Sequence, residues 1–144
     1  MKTILIVDDE ALILFSLSLA LQRNDRYVKT VSCGKDALAA IDQDCYNLCF
    51  LDIHLPDANG LDIMKTIREN SPSTNIIIMS SDTFDDEAQK SILKSARYFL
   101  PKPFDLEHVR SLVNRFLGEE VASADDNVSA SPPDRFEGNS FTTT

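Results

Sequence analysis

The chain has 144 residues, 43 % of them hydrophobic, enough for the single core of one domain. Its net charge of −9 argues against a nucleic-acid-binding surface on the chain as a whole, and no stretch approaches the roughly 20 apolar residues that span a bilayer. Cys33, Cys45 and Cys49 are an odd number without CxxC spacing, which argues against a disulfide framework or zinc site and for a reducing cytoplasm.

Met1-Lys2 leads straight into an apolar run, Thr3–Val7, that reads as a strand buried on both faces rather than a signal peptide. Three acids follow it directly: Asp8, Asp9 and Glu10. A strongly apolar helix is expected over Ala11–Arg23, its turns marked by Leu12, Phe15, Leu19 and Gln22. Tyr27–Val31 reads as a second strand. Lys35–Gln43 repeats Ala37, Leu38 and Ile41 at helical spacing, and Asn47–Leu51 is a third strand. The following segment, DIHLPDANG, holds Pro56 and the pair Asn59-Gly60 and reads as a loop. Leu61, Met64, Ile67 and Arg68 mark a third helix.

Asn75–Met79 is a fourth strand as apolar as the first. Asp85–Lys94 is a polar helix with only Ala88, Ile92 and Leu93 to bury, and Tyr98–Leu100 is a short fifth strand. Leu106, Val109, Leu112, Val113 and Phe116 mark a final amphipathic helix with Asp105 as N-cap. Residues 119–144 carry six acids and one base, net −5, against −4 for residues 1–118. This Ser-, Asp- and Pro-rich stretch has no apolar period and is expected to be a disordered tail or linker, leaving 1–118 as the domain.

Strand–helix alternation implies a parallel sheet with right-handed crossovers and helices on both faces. Chemistry in such sheets lies beyond the carboxyl ends of the strands, where strand order reverses. Asp8 and Asp9 follow the first strand, Asp52 the third, Ser80 the fourth and Lys102 the fifth. Each has a plain alternative: a helix-dipole partner for Asp9 and Glu10, a turn for Asp52, a cap for Ser80, a solvated lysine for Lys102. If the first and third strands are neighbours at that point, these residues converge on one edge. Carboxylates about 5 Å apart repel by roughly 3 kcal/mol per pair at an effective dielectric near 20, so either a pKa rises or a cation binds. An all-oxygen set suits Mg²⁺.

The motifs LIVDDE, LDIHLPDANGLD, IIIMSS and YFLPKPF, and the spacing between them, resemble the receiver domain of two-component response regulators over residues 1–118. The resemblance, closest in type to the chemotaxis regulators, implies a doubly wound, flavodoxin-like α/β fold with five parallel strands ordered 2-1-3-4-5 and five helices. It implies that Asp52 accepts a phosphoryl group from a sensor histidine kinase or phosphotransfer protein. Mg²⁺ would be held by Asp9, Asp52 and the backbone carbonyl of His54, with Asp8 acting through water. Ser80 and Lys102 would bind phosphate oxygens, and the Lys102–Pro103 bond would be cis.

Such a domain assists its own phosphorylation and dephosphorylation but turns over no external metabolite. Ser80 and Phe99 would switch a surface made by the fourth helix, fifth strand and fifth helix, used for a partner or a homodimer through Lys94, Arg97 and Arg110. No nucleic acid or membrane is expected to be bound by the chain itself. Three positions depart from the common pattern: Phe99 has no hydroxyl, Ser95 replaces a frequent Gly, and Ser81 a small residue. His54 is expected at the mouth of the site, where it would affect dephosphorylation, and His108 has no metal role. The alternative is a phosphohydrolase of related fold with Asp52 as nucleophile; it lacks the second acid two residues on, where His54 stands.

Overall fold

In a computed structural model, which describes residues 1–118, the five apolar runs pair into one parallel sheet in the order β2-β1-β3-β4-β5. The strands are β1 (Lys2–Val7), β2 (Arg26–Val31), β3 (Leu48–Asp52), β4 (Asn75–Ser80) and β5 (Tyr98–Pro101). Between and after them run α1 (Ala11–Leu21), α2 (Gly34–Gln43), α3 (Gly60–Asn70), α4 (Asp86–Leu93) and α5 (Leu106–Leu117). The expected fold and strand order are therefore present, with element ends shifted by one or two residues.

The period of a strand sorts its side chains onto two faces. Leu5, Val7, Cys49, Leu51, Ile76 and Ile78 point into a layer shared with Ala37, Ile63, Met64, Ile67 and Ile92 of α2, α3 and α4. Ile4, Ile6, Leu48, Phe50, Ile77 and Met79 point the other way, toward Leu17 and Leu21 of α1 and Val109, Leu112 and Val113 of α5. The central strands are buried on both faces, which is why they are apolar without alternation. Cys49 lies inside this core, where burial pushes its thiol up to about 12.

Two helices differ in character from their sequence reading. In α1 the turn-marking residues Leu12, Phe15 and Leu19 face outward at 62–74 % exposure, and the sheet side is formed by Leu17 and Leu21. A helix apolar all round has no preferred inward face of its own, so its rotation is set by packing. In α4, of the three residues expected to bury, only Ile92 is buried: Ala88 is half-buried and Leu93 is 45 % exposed. Among the described residues no helix is long and apolar enough to cross a membrane. The tail expected over residues 119–144 lies outside the described residues.

Candidate functional site

The strand order reverses at β1, which sends one crossover to β2 and pairs on its other side with β3. Asp8 and Asp9 leave the carboxyl end of β1, and Asp52 is the last residue of β3. Ser80 is the last residue of β4, and Lys102 comes just after β5. Carboxylate oxygens of Asp8, Asp9 and Asp52 lie within 4.8 Å of one another. Asp8 and Asp52 are buried and Asp9 is exposed, so the cluster opens to solvent on one side. Asp9, Glu10, Asp52, His54, Ser81 and Lys102 line an open cleft of about 480 Å³ there.

Lys102 reaches into the acids. Its Nζ lies 2.8 Å from Asp8 Oδ2, 3.2 Å from Glu10 Oε1 and 3.4 Å from Asp52 Oδ2. The Lys102–Pro103 peptide bond is cis, as the resemblance implies. Burial alone would pull the lysine pKa down, but its hydrogen bond to Asp8 and the charges of Asp8 and Asp52 outweigh this and raise it. Burial and the charge of Asp8 raise the pKa of Asp52, only partly opposed by Lys102 and the His54 amide. One ammonium does not fully balance this acid set.

The flanking loops are tied to the site by side chains. The Asp82 amide donates to Ser80 Oγ at 3.0 Å, holding the buried hydroxyl of β4 toward its own loop. The His54 imidazole pairs with Asp82, joining the loops after β3 and β4, while the His54 amide approaches Asp52 Oδ1 at 3.4 Å. His54 is thus at the mouth of the cleft, as expected, and His108 instead meets the Tyr98 hydroxyl at 3.1 Å, far along the chain from the acids. Asp57 accepts hydrogen bonds from the Gly34 and Lys35 amides at 2.7 and 2.9 Å, which hold its carboxyl below the usual range. It caps α2 from the loop after β3.

Gly60 opens α3 hard against the end of β3, where its amide donates to Ile53 O. A Cβ there would stand 2.1 Å from the Asp52 carbonyl oxygen. Phe99 is half-buried and meets Phe84 edge-to-face at 5.6 Å. The roles of Glu10, Asp82 and Asp57 escaped the sequence reading. Glu10 alone carried a signal, its place in the acidic run; the other two act across loops.

The family model of the response regulator receiver domain matches residues 4–114. The DNA-binding transcriptional regulator NtrC of Azospirillum brasilense is 34 % identical over 122 residues, covering 85 % of this chain and 25 % of the relative. The response regulator protein PilR of Pseudomonas aeruginosa is 31 % identical over 137 residues, covering 91 % of this chain and 31 % of the relative. The chain thus spans about a quarter to a third of the length of these relatives. Among solved structures, the BeF3-activated receiver domain of DrrB, a Thermotoga maritima protein, superposes with a TM-score of 0.74 at 34 % identity, covering 83 % of this chain and 99 % of that one. TrrA of the same organism, in complex with Mg²⁺–BeF, gives a TM-score of 0.70 at 28 % identity, covering 81 % and 99 %. The phosphohydrolase alternative finds no support among these relatives.

Proposed function

Because the chain belongs to the response regulator receiver domain family, we propose that Asp52 is its phospho-acceptor and that a phosphohistidine on a sensor histidine kinase or phosphotransfer protein is the donor. The observation that carries this reading is the convergence of Asp8, Asp9 and Asp52 around the Lys102 ammonium at the sheet's switch point.

An Asp52 oxygen bonds phosphorus as the P–N bond of the phosphoimidazole breaks, and the electron pair leaves with the imidazole, which takes up a proton from solvent. In this reading Ser80 and Lys102 meet phosphoryl oxygens, the hydroxyl donating one hydrogen bond and the ammonium neutralising charge. Hydrolysis by water returns the Asp52 carboxylate and inorganic phosphate.

The donor set near Asp52 is oxygen only, hard and under-neutralised, which fits Mg²⁺. Asp9, Asp52 and the His54 carbonyl would hold it, with Asp8 through water; when bound it supplies charge neutralisation at the transferring group. TrrA, which shares the fold at 28 % identity, is solved in complex with Mg²⁺–BeF, which supports Mg²⁺ as the ion. The reading makes the chain a signalling module rather than a metabolic enzyme, working in the cytoplasm. Its output surface is α4–β5–α5, where Lys94, Arg97 and Arg110 serve a partner or a second copy. The phosphorylation is tested by incubating the protein with Mg²⁺ and a small acyl-phosphate donor and mapping the modified residue by mass spectrometry. Asp52→Asn is expected to abolish labelling; unchanged labelling of the variant would overturn the assignment.

A further inference from the structure

α2 has no cap of its own. Its N-cap residue, Cys33, makes no side-chain hydrogen bond to the helix, whereas Asn59, Asp85 and Asp105 cap α3, α4 and α5 locally. The first-turn amides of Gly34 and Lys35, which have no partner within the helix, donate instead to Asp57. Each meets a different carboxylate oxygen, at 2.7 and 2.9 Å, across 23 and 22 residues of chain. The helix dipole and two charge-assisted bonds act here in the same direction.

The loop that supplies this cap also carries the His54 carbonyl. Its base is closed from within: the Gly60 amide donates to Ile53 O at 2.6 Å, and His54 and Asn59 pair as a single antiparallel bridge. At the tip, the Leu55 amide donates to Ala58 O at 3.3 Å. Among the described residues, the hydrogen bonds that tie residues 55–58 to another element are the two at Asp57. On the other side the His54 imidazole is drawn to Asp82, after β4. The loop is thus held between α2 and the β4 loop, with the His54 carbonyl between the two anchors along the chain. The fit at α2 is close, because a Cβ on Gly34 would stand 2.9 Å from Ala58 Cβ and 3.2 Å from Asp57 Oδ1.

A carboxylate ligand can reach a metal by turning about its side-chain bonds. A backbone carbonyl cannot, since its direction follows the path of the chain on either side of a planar peptide. We propose that Asp57 is a positioning residue of the Mg²⁺ site, whose double cap on α2 holds the loop in the conformation that offers the His54 carbonyl as a ligand. The inference rests on the proposed ligand set of Asp9, Asp52 and the His54 carbonyl. Asp57 is not itself a ligand, because both of its oxygens are engaged by α2. The coupling is reciprocal: Mg²⁺ in turn tightens the start of α2, an element that supplies no ligand.

The test measures Mg²⁺ affinity of the full chain by NMR titration, for wild type, Asp57→Ala and Asp57→Asn, well below each melting midpoint. With the competent loop populated about a third of the time once its tie is gone, Asp57→Ala is expected to bind about threefold more weakly. Asp57→Asn, which keeps one acceptor oxygen, should fall between. In the wild type, saturating Mg²⁺ should slow hydrogen exchange at the Gly34 and Lys35 amides by about the same factor. The Glu107 amide, capped locally by Asp105 at 3.0 Å, should be unmoved. This exchange measurement uses the wild type alone and decides the matter if Asp57→Ala does not fold. A variant that melts lower yet binds Mg²⁺ as tightly as wild type would overturn the proposal and leave the ligand set standing. Equal slowing at Gly34, Lys35 and Glu107 would overturn it in favour of salt screening at helix ends. A wild type that binds no Mg²⁺ would overturn the proposal and the ligand set together.

Discussion

Asp52 sits where its charge is costly, and the cost has a measurable sign. Burial and Asp8 raise its pKa despite Lys102. A carboxyl whose folded pKa is raised contributes its stability below the unfolded pKa, and that contribution is lost as pH rises through the folded value. In magnesium-free buffer at neutral pH, Asp52→Asn is therefore expected to raise the melting midpoint. The difference should shrink as pH falls through the folded pKa of Asp52, where the wild-type carboxyl protonates. Thermal melts of both proteins from pH 4 to pH 8 check this; a variant less stable than wild type throughout would show that attraction to Lys102 dominates. The lysine works in the same sense at the alkaline end, since its raised pKa makes its ion pairs persist to higher pH and fail only above it.

At the level of elements, β3, its loop and α3 form one rigid bracket for the acids. Gly60 allows α3 to start against the backbone of Asp52 and Ile53, which cannot yield as a flexible side chain would. Gly60→Ala is expected to cost about 3 kcal/mol, a fall of roughly 12 °C in melting midpoint for a domain of this size. A midpoint within two degrees of wild type would refute the close approach. The opposite extreme is α4, held to the sheet by Ile92 alone among its buried residues. Sparse packing makes it cheap to displace. Ser80 bonded to the Asp82 amide and Phe99 against Phe84 link α4 to the site. Beryllofluoride with Mg²⁺ is expected to change hydrogen exchange across residues 84–100 as well as at Asp52. Changes confined to the acid cluster would refute the switch and leave the phosphorylation intact.

For the whole molecule, a cation that binds only the folded chain stabilises all of it by mass action. Free Mg²⁺ a hundredfold above its dissociation constant should add about 2.7 kcal/mol, roughly 10 °C in melting midpoint. Asp9→Asn, on the exposed side of the cluster, should leave the metal-free midpoint within a degree or two and remove most of the gain. Calorimetry with and without Mg²⁺ distinguishes this from general salt screening, which sodium chloride of equal ionic strength reproduces.

The strands were legible because a doubly buried strand is a local run of apolar residues, as in Ile4–Val7 and Ile76–Met79, and the acids at their ends were legible because chain position alone puts them on one edge. The sequence by itself thus determined the sheet's strands, the residues of the acid cluster and the weak packing of α4. The motifs added the strand order and the direction of Lys102. The rotation of α1 was decided only in three dimensions: every side of it is apolar, so contact with the sheet and α5 selected Leu17 and Leu21 for the core and left Leu12, Phe15 and Leu19 outside. The same holds for Glu10 against Lys102, 92 residues apart, and for His54 against Asp82 and Asp57 against the α2 amides. Such pairs depend on how loops from different strands meet above the sheet, and nothing in the local pattern of either partner encodes that meeting.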